Sequence, residues 1–369
     1  MPLDRRWLLG SGVLLLGAGC LWLLRSSPEP TSPARIAGPA EPLAPAPAVQ
    51  PDLRRLASEP AAAVHEPAPV AASVTSRPPE VGTPVFRAAW GGAPGQLGRT
   101  AANESSPEGP MSFVVDERGR AFVLDQINSR IQVFEGDRLA RIVPLPADTI
   151  QDIALDAKGG VWALDRLGAG SVAHVTEDGV VSHEIALVGD GVEDAGDVSA
   201  LEVRADGVWV EVRHATLVQI ASADGIALAD RPVAPGRFAD ALGGHLRAAK
   251  SSFGAAITLQ KQGERPEVFA KLRFSMRVGH LTGLESDREG NVHVSLHLFD
   301  ESPEPPFELL AQQDLVVTLD RAGRELSRVV LPPESGAEES FRRLRVGANG
   351  GLYHLGFDSD GATLRRLSP

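Results

Sequence analysis

Met111–Pro146, MSFVVDERGRAFVLDQINSRIQVFEGDRLARIVPLP, places four short apolar runs between turn residues. The runs are Phe113–Val115, Ala121–Leu124, Arg130–Phe134 and Leu139–Pro144, broken by Asp-Glu-Arg-Gly, by Asp-Gln-Ile-Asn-Ser and by Glu-Gly-Asp. Apolar runs of this length, bounded by Gly, Asp and Asn, read as β-strands joined by tight turns. Four such strands make one small antiparallel sheet. A sheet of that size cannot bury both faces alone, so the reading depends on whether the chain repeats it.

It does. Ile153–Leu155 is followed by Asp156-Ala-Lys-Gly159, Leu201–Val203 by Arg204-Ala-Asp-Gly207, Leu284 by Asp287-Arg-Glu-Gly290, and Leu344–Val346 by Ala348-Asn-Gly-Gly351. The second residue of the strand after each turn is Phe122, Trp162, Trp209, His293 and Tyr353, and a weaker unit around Ala255–Ile257 offers Ala256 in the same role. A second turn recurs at Glu135-Gly-Asp, Glu177-Asp-Gly, Ala223-Asp-Gly, Arg321-Ala-Gly and Ser359-Asp-Gly. Two hairpins per unit mean four strands. A period of about 40 to 50 residues with four strands per unit predicts an all-β fold, a six-bladed β-propeller with four-stranded antiparallel blades. The last unit runs out at Leu364–Leu367, while Pro84–Trp90 is a spare strand upstream of the first. Pairing the two would close the ring and remove an open edge.

The first unit resembles an NHL repeat. The resemblance rests on Val114-Val-Asp-Glu-Arg-Gly-Arg-Ala-Phe-Val-Leu-Asp125 and Asn128-Ser-Arg-Ile-Gln-Val-Phe134. The second unit keeps Asp156, Gly159, Trp162 and Asp165, and later units keep only turns and strands. The resemblance implies a propeller. Members of that family are mainly binding scaffolds with an enzymatic minority, so it implies a fold more strongly than an activity.

Ahead of the repeats, residues 7–24, WLLGSGVLLLGAGCLWLL, are uninterruptedly apolar between Arg5-Arg6 and Arg25. Eighteen helical residues at ~1.5 Å each reach roughly 27 Å, enough for a bilayer core. Residues 1–25 are therefore expected to be an N-terminal transmembrane helix, with Trp7 and Trp22 at the interfaces and the arginines held in the cytoplasm. A cleaved signal segment and a lipobox ending at Cys20 compete with a retained anchor, and all three carry the rest of the chain across the inner membrane into the periplasm. Residues 26–83 alternate Pro and Ala, lack enough large apolar residues to pack, and read as a disordered, extended linker. Residues 84–369 form the propeller domain. With Lys158, Lys250, Lys261 and Lys271 the only lysines among 36 basic residues, and abundant Ala, Pro and Gly, the composition points to a GC-rich bacterial genome. Cys20 is the single cysteine, so no intramolecular disulfide is available. A formal net charge of -12 argues against nucleic acid as a partner, because phosphate neutralisation needs clustered cations.

Three constellations stand out. Asp125, Asn128 and Arg130 could bind a polar ligand from an inter-strand loop, or brace the blades through backbone bonds. The insert Asp300–Gln313, with Pro303, Pro305, Pro306 and Phe307, is the preferred recognition element, since an exposed aromatic loop on a rigid scaffold suits binding. The run Gly189–Asp197 has the composition of a Ca²⁺ loop without its ordered spacing, and reads as a solvated inter-blade loop. His293 and His297 share a strand face but lie ~13 Å apart, too far to share one metal. No G-x-S-x-G, H-E-x-x-H or Cys nucleophile occurs in the repeats. No catalytic residue and no metal ligand is assigned. The expected function is a membrane-tethered, non-catalytic scaffold for a protein or cell-envelope component. The alternative is a metal-dependent hydrolase, lactonase or lyase centred in the channel, with a divalent cation, Ca²⁺, as the one candidate cofactor.

Overall fold

The protein is described here from a computed structural model, which covers residues 81–100, 107–334 and 340–368. The predicted anchor and all but the last three residues of the predicted linker lie outside the described residues. No helix within the described residues is long and apolar enough to cross a membrane.

The described residues form six four-stranded antiparallel sheets. β1 (Thr83–Ala89) comes before the first blade, which is β2 (Ser112–Val115), β3 (Ala121–Asp125), β4 (Arg130–Glu135) and β5 (Arg138–Pro144). The second blade is β6 (Asp152–Leu155), β7 (Val161–Asp165), β8 (Ser171–Val175) and β9 (Val181–Ala186). The third is β10 (Val198–Arg204), β11 (Gly207–Val212), β12 (Thr216–Ser222) and β13 (Val233–Pro235). The fourth is β14 (Arg237–Ala239), β15 (Gly244–Ser251), β16 (Gly254–Lys261) and β17 (Glu267–Arg273). The fifth is β18 (Arg277–Ser286), β19 (Val292–Glu301), β20 (Leu309–Leu319) and β21 (Glu325–Val330). The sixth takes β22 (Leu344–Val346), β23 (Leu352–Asp358) and β24 (Gly361–Leu367), and its outer strand is β1. The six-bladed propeller read from the repeats is the fold.

The recurring Asp and Gly have a local cause. Asp116 Oδ1 accepts from the N–H groups of Arg118 and Arg120, and Gly119, at φ 80°, returns its N–H to the Asp116 carbonyl. Asp156 with Gly159 and Asp287 with Gly290 repeat the geometry. The carboxylate satisfies two turn N–H groups, and only glycine enters that left-handed region without strain. Mutation of either residue would loosen the turn that aligns the first two strands of a blade.

The fourth blade departs from the alignment read in the repeats. Ala256 lies on β16, the third strand of its blade, whereas Phe122, Trp162, Trp209, His293 and Tyr353 all lie on second strands. The second strand of the fourth blade is β15, GHLRAAKS, which opens after a 3-10 turn at Asp240–Leu242 rather than an Asp-x-x-Gly turn. Without the aromatic and the turn, the sequence signal shifted to the next hairpin.

The core lies between blades. Phe113, Val115 and Phe134 of the first blade pack with Leu355, Phe357 and Leu364 of the sixth and with Phe86 and Ala88 of β1. Phe86 stacks on Phe134 with ring centroids 4.2 Å apart and is 1% exposed. β1 pairs antiparallel with β24 from Thr83↔Arg366 to Ala89↔Gly361, so the two ends of the repeat array close one sheet. Phe86→Ala is expected to lower stability by about 3 to 5 kcal/mol in urea denaturation. A chain beginning at residue 100 should melt well below one beginning at residue 80, and equal stability would refute closure by β1.

Candidate functional site

Residues from the innermost strands of all six blades, β2, β6, β10, β14, β18 and β22, line one cavity of about 450 Å³ at the propeller axis. Arg237, Glu285, Arg342 and Arg345 charge its lining, and the arginines pair with Asp152 and Glu211 outside it. Asp152, at the start of β6, accepts from Ser112 Oγ at 2.5 Å and from the Leu201 N–H at 2.9 Å, joining the first three blades. Arg342 and Arg345 approach the same carboxylate at 3.4 Å each. Arg345 Nη1 also donates to the carbonyls of Phe113 and Ile153, at 3.0 and 2.7 Å. Arg342 Nη2 reaches Glu285 Oε1 at 2.7 Å, and its Nη1 reaches the Leu201 carbonyl at 3.2 Å. Arg237 grips Glu211 in a fork, Nε to Oε1 at 2.6 Å and Nη2 to Oε2 at 2.9 Å, and donates to the Leu284 carbonyl at 2.7 Å. Such bidentate, charge-assisted bonds are the strong class.

The ionisation of these groups follows from their surroundings. Burial alone would raise the Glu211 carboxyl, but the Arg237 guanidinium holds it well below the usual range. Burial, together with the nearby Arg342 cation, draws Arg345 down to about 10. Glu202 differs from its neighbours: it lines the cavity, and its carboxylate accepts no hydrogen bond among the described residues. Burial raises its carboxyl above the usual range, helped by the Glu285 and Glu211 carboxylates and opposed by Arg342 and Arg237.

A divalent cation does not fit this set. Asp152 and Glu285 already accept from arginines, whose positive charge opposes a second cation beside them. Among the described residues no three His, Cys, Asp or Glu side chains gather as a metal-ligating group.

The residues singled out in the sequence fall elsewhere. Asp125, 1% exposed, accepts from the Gly98 N–H at 2.7 Å, from Arg130 Nε at 2.7 Å and from Asn128 Nδ2 at 3.0 Å. Arg130 in turn donates to the carbonyls of Gly92, Ala93 and Gln96, at 3.0, 3.0 and 2.8 Å. The cluster thus grips the loop that leads from β1 into the first blade. His293 is buried between Asp287 and Thr318. In the Gly189–Asp197 run, Asp194 caps a 3-10 turn through the Gly196 N–H, and Asp197 pairs with Arg213 at 2.5 Å. Pro305 and Phe307 lie at the exposed tip of the β19–β20 hairpin. The insert read as a loop is mostly strand: Asp300 pairs with Ala311 and Glu301 with Leu309, leaving a tip of Ser302–Glu308.

Sequence reasoning passed over the channel residues. The available signal was a charge inside, or directly beside, an otherwise apolar first strand, as at Asp152, Glu202, Glu285 and Arg345. A second cavity, of about 390 Å³, lies beside the fifth and sixth blades and is lined by His280, His297, Asp314, Glu334, Arg343 and His354. His297 Nδ1 meets Asp314 Oδ1 at 2.9 Å, and His280 stacks on His297 at 4.9 Å. His354, 5% exposed, is pushed down to about 3 by burial and by the Arg343 and Arg365 cations.

No family model and no curated protein matches the sequence. Among solved structures, the chain is similar to a calcium-binding protein, regucalcin, from Agrobacterium tumefaciens, at 13% identity over 70% of this chain and 90% of that one, with a TM-score of 0.44. It is similar to hydrazine synthase from Kuenenia stuttgartiensis at 11% identity over 73% and 99%, with a TM-score of 0.43. It is similar to virginiamycin B lyase from Staphylococcus aureus at 11% identity over 73% and 99%, with a TM-score of 0.39. Likenesses this distant carry no argument about activity.

A histidine neutral in the folded state but protonatable when unfolded makes stability fall as pH drops below the unfolded value, until the folded value is reached. Wild-type protein is therefore expected to lose about 2 kcal/mol more than His354→Gln between pH 7 and pH 5, read from urea midpoints. Parallel pH profiles would exclude a buried neutral His354.

Proposed function

We propose that this chain is a membrane-tethered, extracytoplasmic propeller that binds a protein or another cell-envelope component and performs no chemistry of its own. The observation that carries this reading is the hairpin of the fifth blade. β19 and β20 are ten and eleven residues long, and the ladder between them continues past the end of β21, which covers β20 only from Leu315 onward. The hairpin ends in Phe307, Leu309 and Leu310, which are 54%, 57% and 61% exposed. Large apolar side chains held in water on a rigid ladder gain nothing for folding, and burying them against a partner is worth roughly 25 cal/mol per Å².

The rest of the molecule is consistent with a scaffold. The channel arginines are turned onto carboxylates and carbonyls of the inner strands and onto Glu211 of β11, where they hold the blades together. Tethering is supported by the apolar run 7–24 and the Pro-Ala linker behind it, which in extended form spans on the order of 100 Å. Replacing the tip Ser302–Glu308 with Asn-Gly is expected to leave the melting temperature nearly unchanged while abolishing recovery of a partner crosslinked in intact cells. Unchanged recovery would remove the hairpin from the function. Carbonate-washed membranes from the same cells should retain the chain, and its release would argue against an anchor.

Glu202 favours a second reading, a metal-free hydrolase or lyase in the channel, because an unpaired carboxyl with a raised pKa at a cavity is a candidate general acid or base. On the scaffold reading, wild type and Glu202→Gln are equally inert toward ester, lactone and uronate substrates. Turnover by wild type that Glu202→Gln loses would establish the enzyme instead.

A further inference from the structure

The protruding hairpin carries more than exposed apolar side chains. The Leu331 N–H donates to the Asp314 carbonyl, so at Asp314 the backbone polar groups of β20 face the β21 side. Backbone groups alternate along an antiparallel strand, so those of Gln312 face the same side, where β21 has already ended. The stretch Leu309–Gln313 is therefore an uncovered sheet edge among the described residues. Natural edges are usually protected by Lys, by Pro or by an inward charge. Leu-Leu-Ala-Gln-Gln has none of these, and Leu309, Leu310, Ala311 and Gln312 are all exposed.

The hairpin's own Asp, Glu, Lys and Arg residues have one sign of charge. No Lys or Arg occurs between Arg288 and Arg321. Asp300, Glu301, Glu304, Glu308 and Asp314 lie on the hairpin, and of these Glu301 is paired with Arg277 and Asp314 with His297. Glu304 and Glu308 stand exposed at the tip. A second copy of the chain suits the edge poorly: antiparallel self-pairing centred on Ala311 would set Glu308 against Asp314 twice, and like charges directly opposite each other destabilise a sheet.

Resting on the reading of the hairpin as the recognition element, we infer that the partner supplies an extended, cationic polypeptide segment, which adds as a strand to the Leu309–Gln313 edge of β20. Main-chain bonds to Gln312 give affinity, Leu309 and Leu310 pack on alternate side chains of the added strand, and its flanking Lys or Arg residues meet Glu304 and Glu308. This is strand addition, in which the backbone provides the binding and the side chains the selectivity.

The test uses the full-length chain in detergent and two fluorescein-labelled synthetic peptides with the same alternating Val-Thr centre, one flanked by lysines and one by glutamates. Fluorescence anisotropy should show saturable, salt-sensitive binding of the lysine peptide only. Gln312→Pro, which removes an edge donor, should weaken it about five- to tenfold, while Gln312→Ala should not. The double substitution Glu304→Gln and Glu308→Gln should weaken it and flatten the salt dependence. Equal binding of the glutamate peptide, indifference to Gln312→Pro, or sedimentation of the wild type as a dimer that the proline abolishes would each overturn the inference. So would failure of the lysine peptide to bind while partner crosslinking still depends on the tip. That last outcome leaves the hairpin as the recognition element and removes only strand addition, whereas loss of tip dependence in cells fails the broader reading.

Discussion

The fold turns on one carboxylate. Asp152 accepts a hydroxyl from the first blade and an amide from the third while sitting on the second, and two arginines from the chain's last repeat close on it from the far side. Six sheets packed face to face around an axis leave their innermost strands without neighbours on one side, and this network supplies the neighbours. Buried ion pairs contribute little net stability compared with apolar packing, but removing one partner strands the other charge in a low-dielectric site. The network therefore links all six blades at the axis, through Asp152, Glu211 and Glu285 and the three arginines that meet them.

What could be read in the sequence was what is decided locally. The Asp-x-x-Gly turn is a self-contained device, a carboxylate capping two amides with a glycine in the left-handed region, so it announced blades wherever it occurred. Where β15 begins without it, the register of one blade was misassigned. The closing strand was legible because a missing fourth strand and a spare one can be counted. The axis was not legible. Glu202 and Arg345 sit in their strands as any solvent-facing residue would, and only the ring brings them together across blades far apart in sequence. The hairpin was half legible: Pro303, Pro305 and Pro306 marked a break in the strands, but their turn chemistry masked the fact that Leu309–Gln313 continues β20.

These observations divide the molecule into two chemistries. Around the axis, most polar groups are matched inward; the Glu202 carboxylate and Arg204 Nε are exceptions. At the rim of the fifth blade the arrangement is reversed, with apolar side chains and a backbone edge that no described residue covers presented outward on a ladder too regular to be a loop. The cluster of Asp125, Asn128 and Arg130 belongs with the axis in kind, since its bonds hold the loop that delivers the closing strand to its neighbour.

That closing strand has a temporal consequence. The pairing of β1 with β24 sets Arg87 opposite Thr363, 276 positions apart. Ribosomes add roughly 5 to 20 residues per second, so on the order of 15 to 55 seconds pass between the synthesis of β1 and that of β24, its sheet partner among the described residues. For that interval β1 stands without its strand partner in every nascent chain, although the first blade already offers Phe134 to Phe86. The waiting time is set by connectivity rather than by composition, which makes the newborn chain, more than the completed ring, the form most in need of a chaperone.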